Sequence, residues 1–202
     1  MPDHDGEARA LARNDRFLVE IVEALDVCPF ARATRTGDRL AREVLFVDEP
    51  AAIASRVAAY DAADGPQIVL LILPAFFGDA YAFDRFVDDV RRIDEARRAP
   101  PFAMAPFHPD TPYRADTASR LVGLFRRAPD PTIQLVRFAA LDAAKRRAPD
   151  GKFFFDGSAA SWAALAARPE RGLSDQITHG NFERLRDRAD ELAARLAALR
   201  ER

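Results

Sequence analysis

The chain is poor in several residue types and patterns that mark common functional classes. Its 202 residues include one cysteine, Cys28, so no disulfide can form within the chain. Its longest apolar stretch, Ile68 to Phe77, is shorter than the roughly 20 residues that cross a bilayer, and it contains Pro74. Residues 1–6 lack the charged and apolar regions of a signal peptide. We therefore expect a soluble protein of the reducing cytoplasm.

The sequence also lacks an excess of one charge and a glycine-rich phosphate loop. With 30 basic and 32 acidic residues it has a formal net charge of -2, and the two signs are interspersed, which argues against a general nucleic-acid binder. Its glycines are isolated, so nucleotide binding through such a loop is not expected. The three histidines and the cysteine lack zinc-site spacing, so we expect no structural zinc site and assign no set of metal ligands from spacing. A small molecule is the partner class that remains.

Apolar periodicity alternates along the chain between helical and strand patterns. It predicts a first helix from about Glu7 to Val27, which ends before Cys28 because Pro29 restricts that residue to extended geometry. A polar loop is predicted at 32–42. Strands are predicted at 43–47, 67–73, 102–107 and 132–137, with a further candidate at 153–155. Helices are predicted at about 51–62, 80–98, 117–125, 139–148, 158–167 and 181–200.

This alternation predicts the architecture. A chain of 202 residues with 49% hydrophobic content can bury one core, so we expect a single domain over 1–202 with 1–8 as a disordered tail. Strands separated by helices favour an α/β layered domain with four or five mostly parallel strands. The residues that follow such strands share one edge, where ligands of open α/β sheets bind, so His108 and Arg137 are expected at the same edge. The sequence does not indicate an oligomeric state.

The cysteine and one histidine are the candidates for chemistry. Cys28 ends the first helix, and His108 follows a strand in the only His-Pro dipeptide. A thiol beside an imidazole base can act as a nucleophile, provided that its pKa is lowered. A small buried thiol and a histidine that hydrogen-bonds a backbone carbonyl explain the same residues. The sequence leaves both interpretations open.

Four short motifs point to a family. They are Cys28-Pro29-Phe30-Ala31, Phe107-His108-Pro109, the segment 127–132 and Leu135-Val136-Arg137. In order and approximate spacing, over about residues 14 to 147, they resemble the bacterial family catalogued as domain of unknown function 1415, and Asn181 is a weaker match. The resemblance implies a small soluble bacterial protein and brings no established activity. The chain departs from the pattern at Arg126, Ala128, Asp130 and at Gln134, where the family has histidine, and its segment 150–180 looks longer.

Arginines near the third and fourth motifs are candidate anion ligands. Arg127 and Arg137 match the family pattern, so we favour a substrate-binding role for them, since a guanidinium can fork onto a carboxylate or phosphate. For Arg126 we favour ordinary ion pairing. The partners expected for such ion pairs are Asp110, Asp116 or Asp130.

Three functions follow from these residues. The first is an enzyme whose pocket gathers Cys28, His108, Arg127 and Arg137 around an acidic small molecule, with Phe30 as a lid. The second is a haem or metal protein with Cys28 or His108 as a ligand and an apolar pocket lined by Phe30, Phe76, Phe77 and Phe107. The third is a non-catalytic small-molecule binding protein. The sequence identifies no cofactor and does not decide whether the protein is an enzyme.

Overall fold

The structure is a computed structural model that describes residues 4–97, 100–147 and 173–201. Its elements in chain order are α1 (His4–Arg16), a π-helix (Phe17–Glu23), α2 (Ala31–Thr36), β1 (Leu40–Val44), α3 (Pro50–Ala59), β2 (Ile68–Ile72), α4 (Ala80–Arg97), β3 (Phe102–Phe107), α5 (Ala118–Phe125), β4 (Thr132–Arg137), α6 (Phe138–Arg147), α7 (Leu173–Leu185), a 3₁₀ turn (Arg186–Arg188) and α8 (Ala189–Ala198). The predicted strand at 153–155 and helix at 158–167 lie outside the described residues. None of the helices within those ranges is long and apolar enough to span a membrane.

The four strands of the described residues form one mixed sheet with the order β1-β2-β4-β3. β1 and β2 are parallel, whereas β4 lies between β2 and β3 and is antiparallel to both. The α/β class is confirmed, but the mostly parallel sheet was wrong. The reason lies in α5, which packs against α7 and α8 instead of crossing back along the sheet. The chain therefore enters β4 at the same end of the sheet where β3 finishes, so the two neighbouring strands are antiparallel.

The two faces of the sheet pack against different helices. Strand alternation places Val69, Leu71 and Leu73 on one face, where they form a core with α3 and α4. Leu70 and Ile72 point to the opposite face and pack against Ala10 of α1. The helices α5, α7 and α8 and the π-helix form a further apolar cluster on this second side, which includes Phe107 at the end of β3. The second side holds the candidate site.

Within the described part of the chain, β2 and β4 are the inner strands of the sheet, and β1 and β3 are its edge strands. On β3, the carbonyl of Met104 accepts a hydrogen bond of 3.2 Å from Nη2 of Arg91, a residue of α4. Pro106, two residues further along β3, has no backbone N–H and so cannot donate a hydrogen bond to a neighbouring strand.

Several element boundaries differ from the sequence predictions. β1 covers Leu40–Val44 instead of 43–47, because its pairing with Ile68–Ile72 sets where the strand begins. Part of the predicted loop forms α2, in which the Thr34 and Thr36 hydroxyls donate to carbonyls four residues earlier. α1 begins at His4, inside the segment 1–8 that we expected to be a disordered tail.

Candidate functional site

A cavity of about 250 Å³ lies between the second face of the sheet and the helices that cover it. This volume is far larger than the roughly 15 Å³ that one water molecule requires. Most of its wall is apolar, with contributions from Phe17, Leu18, Leu40, Ile68, Leu70 and Phe107. Mostly apolar cavities with a few polar groups are typical of small-molecule sites.

The π-helix forms one wall of the cavity. Hydrogen bonds from Ala24 N–H to the Val19 carbonyl (3.1 Å) and from Val27 N–H to the Val22 carbonyl (3.0 Å) span five residues instead of four. This wider coil presents residues that include Phe17 and Val22 to the cavity. π-helices are rare and occur frequently at functional sites, and no sequence signal had predicted this one.

Cys28 lines the cavity in the turn between the π-helix and α2. The side chain is half-buried, and this burial raises the pKa of the Cys28 thiol; backbone N–H groups of Phe30 and Ala31 lower it, and Asp26 raises it further. The direction is the opposite of what a thiolate nucleophile needs at neutral pH. The geometry therefore favours a protonated thiol in the cavity wall.

Two side chains of α7 hold the turn that carries Cys28. Asn181 donates from Nδ2 to the Val27 carbonyl at 2.9 Å, and its Oδ1 accepts from Nη2 of Arg184 at 2.6 Å. Arg184 also donates to the carbonyls of Leu25 and Asp26, at 3.0 and 3.1 Å. These bonds satisfy carbonyls that the end of the helix leaves without partners, so α7 fixes the position of Cys28.

An ion pair neutralises two of the charged groups in the cavity wall. The buried carboxylate of Glu23 accepts two hydrogen bonds from Arg35, at 2.5 and 3.0 Å, and Arg32 lies 3.4 Å from it. The hydrogen bonds from Arg35, opposed by burial, lower the pKa of Glu23. Glu23 therefore stays ionised, and Arg35 is not free to bind a second anion.

Arg126 is a cation on the border of the cavity. Among the described residues its guanidinium has no hydrogen-bond or ion-pair partner, and the charge of Asp84 acts on it from a greater distance. Desolvation by the surrounding residues lowers the pKa of Arg126, and the negative charge of Asp84 partly offsets this effect. The side chain nevertheless keeps an exposed face, so it is accessible from solvent. The ordinary ion pairing that we expected for Arg126 was wrong within the described part of the chain.

Asn14, a residue of α1, is a buried polar group in the cavity wall. Its side chain is 3% exposed, and its Oδ1 has no hydrogen-bond partner in the structure. Gln134 of β4 also lines the cavity, and its side chain forms no hydrogen bond within the described ranges. The cavity wall therefore includes the amide side chains of Asn14 and Gln134.

His108 lies at the end of β3, outside the residues that line this cavity. It is 4% exposed, and its ring packs against Phe83 of the core on the other face, with centroids 5.7 Å apart. Nδ1 accepts a 3.1 Å hydrogen bond from the Asp110 N–H, and the backbone of Gly78 also hydrogen-bonds the ring. Burial lowers the pKa of His108. These contacts are typical of a neutral histidine with a structural role, which connects the loop that contains Gly78 to the loop that contains Asp110.

Arg137 and Arg127, the other predicted anion ligands, are not among the residues that line the cavity and contact other groups. Arg137 lies at the opposite end of the sheet from His108, because it pairs with Phe102 at the start of β3, so the shared edge that we expected was wrong. Its guanidinium donates to the carbonyls of Pro66, Tyr60 and Ala62 and lies 4.7 Å over the Phe102 ring. The guanidinium of Arg127 stacks on Tyr113 at 5.4 Å. The structure thus does not bring Cys28, His108, Arg127 and Arg137 into one pocket.

The phenylalanines suggested for a haem pocket are also dispersed. Phe76 packs into the core with Phe83 and Phe86, while Phe77 is 93% exposed. Phe30 precedes α2 as its N-cap residue and is partly exposed, and Phe107 lines the cavity. Across 4–97, 100–147 and 173–201, no group of three or more His, Cys, Asp or Glu side chains is placed to hold a metal ion. The four rings do not form one pocket.

A sequence model of the family described as "Protein of unknown function (DUF1415)" matches residues 9–161. The chain belongs to this family. The match confirms the resemblance that the motifs indicated, and it covers most of the chain. No curated protein and no solved structure matches the chain. Positions from three motif segments of this DUF1415 protein line the cavity, namely Cys28, Phe107 and Ala128.

Sequence reasoning found part of this site and missed the rest. Cys28 was recognised because it is the only cysteine. Gln134 was noted as a departure from the family pattern and was not predicted to be a site residue. Asn14 carried no signal, because a polar residue in an amphipathic helix is ordinarily at the surface. Arg184 carried none either, since its partners are carbonyls about 158 residues away in sequence.

Proposed function

We propose that this protein binds a small anionic molecule with an apolar body in the cavity beside Arg126 and Cys28. The observation that carries the proposal is the guanidinium of Arg126, which borders an apolar cavity and has no direct partner among the described residues. A carboxylate or phosphate forms charge-assisted hydrogen bonds with such a group, and these are stronger than neutral ones. The apolar walls gain from covering hydrocarbon surface.

The charges around the cavity support an anion rather than a cation. Glu23 is paired with Arg35 and Arg32, so it offers no negative charge to a ligand. Asp84 acts on Arg126 from outside the cavity lining and forms no ion pair with it. Among the described residues that line the cavity, the remaining charge is that of Arg126, and it is positive.

The state of the thiol supports binding over thiol catalysis. The raised pKa of Cys28 keeps the sulfur protonated, and the contacts of His108 leave that imidazole without a role as its base. A protonated thiol is compatible with an apolar wall, where it packs as a small, polarizable group. Of the three functions open at the level of sequence, the small-molecule binding protein is therefore the best supported.

Isothermal titration calorimetry with matched probes tests the proposal. Octanoate and octan-1-ol share one hydrocarbon chain, but only octanoate carries a negative charge at neutral pH. We expect octanoate to bind the wild-type protein more tightly. In Arg126→Gln the octanoate dissociation constant should rise about tenfold or more, since a hydrogen bond to a charged group contributes about 1.5 to 3 kcal/mol. The dissociation constant of octan-1-ol should not change.

Arg120→Gln is the matched control. Arg120 lies on neighbouring α5, is exposed and pairs with Asp116, so its loss should alter neither dissociation constant. Equal octanoate affinity in Arg126→Gln and the wild type would contradict the proposal. So would the absence of binding by hexanoate, octanoate and phenylacetate alike at millimolar concentration.

A further inference from the structure

The buried side chain of Asn14 defines a second requirement on the molecule that the cavity binds. Asn14 is 97% buried, since its exposed fraction is 3%, and it lies among the residues that line the cavity. Its Oδ1 has no hydrogen-bond partner among the residues that the structure describes, and the neighbouring Arg13 is already bound to Asp130. A buried acceptor without a donor is exceptional in native proteins and calls for a specific explanation.

The position of Asn14 in α1 limits where such a donor can come from. Ala10, one helical turn earlier, packs against Leu70 and Ile72, so this face of α1 is directed toward the sheet. The Asn14 amide therefore lies between the helix and the sheet, beside the cavity that separates them. Oδ1 itself has almost no surface open to the cavity, so a donor that enters the cavity reaches it once the Asn14 amide turns toward that side.

We propose that the molecule bound in this cavity carries a hydroxyl or amide group that hydrogen-bonds Asn14, in addition to the anionic group at Arg126. This inference rests on the proposed function and extends it to a ligand class, the hydroxylated or amidated carboxylic acids. A hydroxyl donates one hydrogen bond and accepts others. It can therefore donate to Asn14 Oδ1. Gln134, whose side chain lines the same cavity without a hydrogen-bond partner among the described residues, offers a second amide to the ligand.

The exposure of the two residues sets the orientation of the ligand. Arg126 has an exposed face and is accessible from solvent, whereas Asn14 is buried. The anionic group therefore lies at the entrance of the cavity, and the hydroxyl or amide group lies inside it. The apolar body between them contacts the walls formed by residues such as Leu70 and Phe107.

Binding of hydroxylated probes tests this inference. Octanoate is compared with its α-, β- and ω-hydroxy derivatives by isothermal titration calorimetry on the wild-type protein. We expect one derivative to bind about tenfold or more tightly than octanoate, because a site with an unpaired buried acceptor discriminates against ligands that leave it unpaired. In Asn14→Leu, which keeps a similar volume and removes the amide, this preference should disappear while octanoate still binds.

The outcomes separate the two proposals. If octanoate binds through Arg126 but every hydroxy derivative binds equally or more weakly, the proposed function stands and the present inference is overturned; a water molecule on Asn14 would give that result. If neither octanoate nor its derivatives bind, the proposed function itself fails. The wild-type comparison needs no variant, so it is decisive even if Asn14→Leu does not fold.

Discussion

The guanidinium of Arg13 and the carboxylate of Asp130 form a two-pronged ion pair, with N–O distances of 2.9 and 2.7 Å. Arg13 belongs to α1 and Asp130 to the turn before β4, and both side chains are largely buried, at 16% and 11% exposure. The pair therefore anchors α1 on the sheet one residue before Asn14.

Asp130→Asn should destabilise the protein by about 2 to 3 kcal/mol, because it leaves the buried charge of Arg13 without its counter-charge. Urea unfolding at neutral pH measures the change. The control is Arg92→Gln, which removes an exposed pair with Asp89 on α4 and should change stability by less than about 0.5 kcal/mol. Equal effects of the two substitutions would show that the Arg13 pair does not anchor α1.

The buried histidine predicts a stability that falls in mild acid. Burial holds the pKa of His108 below its ordinary value of 6.5, although Asp110 and Asp79 favour the charged form. The unfolded chain then binds the proton more readily than the folded chain. The stabilisation that comes from burying neutral His108 is therefore complete above about pH 6.5, and it is lost as the pH falls toward the lowered pKa of the folded state. NMR titration of the ring should give a pKa below 6.5; a higher value would contradict the neutral structural role.

Urea unfolding of a His108 variant provides the matching stability measurement. In His108→Gln, the part of the stability that is lost as the pH falls below about 6.5 should be smaller than in the wild type, because glutamine does not titrate. His108→Ala should be clearly destabilising, since it leaves the Asp110 N–H and its partner at Gly78 without the ring. A fully stable His108→Ala variant would indicate that these bonds contribute little.

Cys28 should react slowly with iodoacetamide at neutral pH. Its thiol pKa is raised above the ordinary value of 9.0, so the reactive thiolate is scarcer than in a free cysteine. Mass spectrometry of the native protein across pH should show labelling that accelerates only in alkaline solution, and urea should make it fast at neutral pH. Octanoate should slow the native reaction, because Cys28 lines the cavity. Rapid labelling of the native protein near pH 7 would contradict the assignment of a protonated thiol.

Two glycines in helices should respond oppositely to the same substitution. A Cβ on Gly123 of α5 would lie 2.0 Å from the Pro112 carbonyl oxygen, so Gly123→Ala must displace backbone and should cost about 1 to 3 kcal/mol. A Cβ on Gly180 of α7 would meet no atom within 4 Å. Gly180→Ala should therefore stabilise the protein by up to about 1 kcal/mol, because alanine has the higher helix propensity. Thermal unfolding of both variants measures the difference. A neutral Gly123→Ala would show that α5 and the Pro112 segment are not in close contact.

The positions of most strands followed from the sequence, while their order and direction did not. The Val- and Leu-rich run of β2 predicts a buried strand because burial on two faces selects such residues. β4 has the same kind of pattern, and that pattern is identical for a parallel and an antiparallel strand. Its direction depends on where α5 packs, which is a contact between distant parts of the chain.

The same reasoning explains which site residues were predictable. Cys28 could be selected by its rarity, but its pKa depends on burial that only the fold creates. The arginines near the motifs are chemically alike, and the sequence favoured Arg127 and Arg137 over Arg126. The fold reverses this preference, because α5 ends with Arg126 beside the cavity while Arg137 lies at the far end of β4.

The edge strand β3 has a consequence for how this protein can associate. Another polypeptide that added a strand there would need the Met104 carbonyl, which Arg91 already occupies, and an N–H at position 106, where proline has none. Each obstacle removes one hydrogen bond from the added strand. Continuous β-structure between copies of the chain, including fibrillar aggregation, is thus disfavoured on that side and would have to begin at β1.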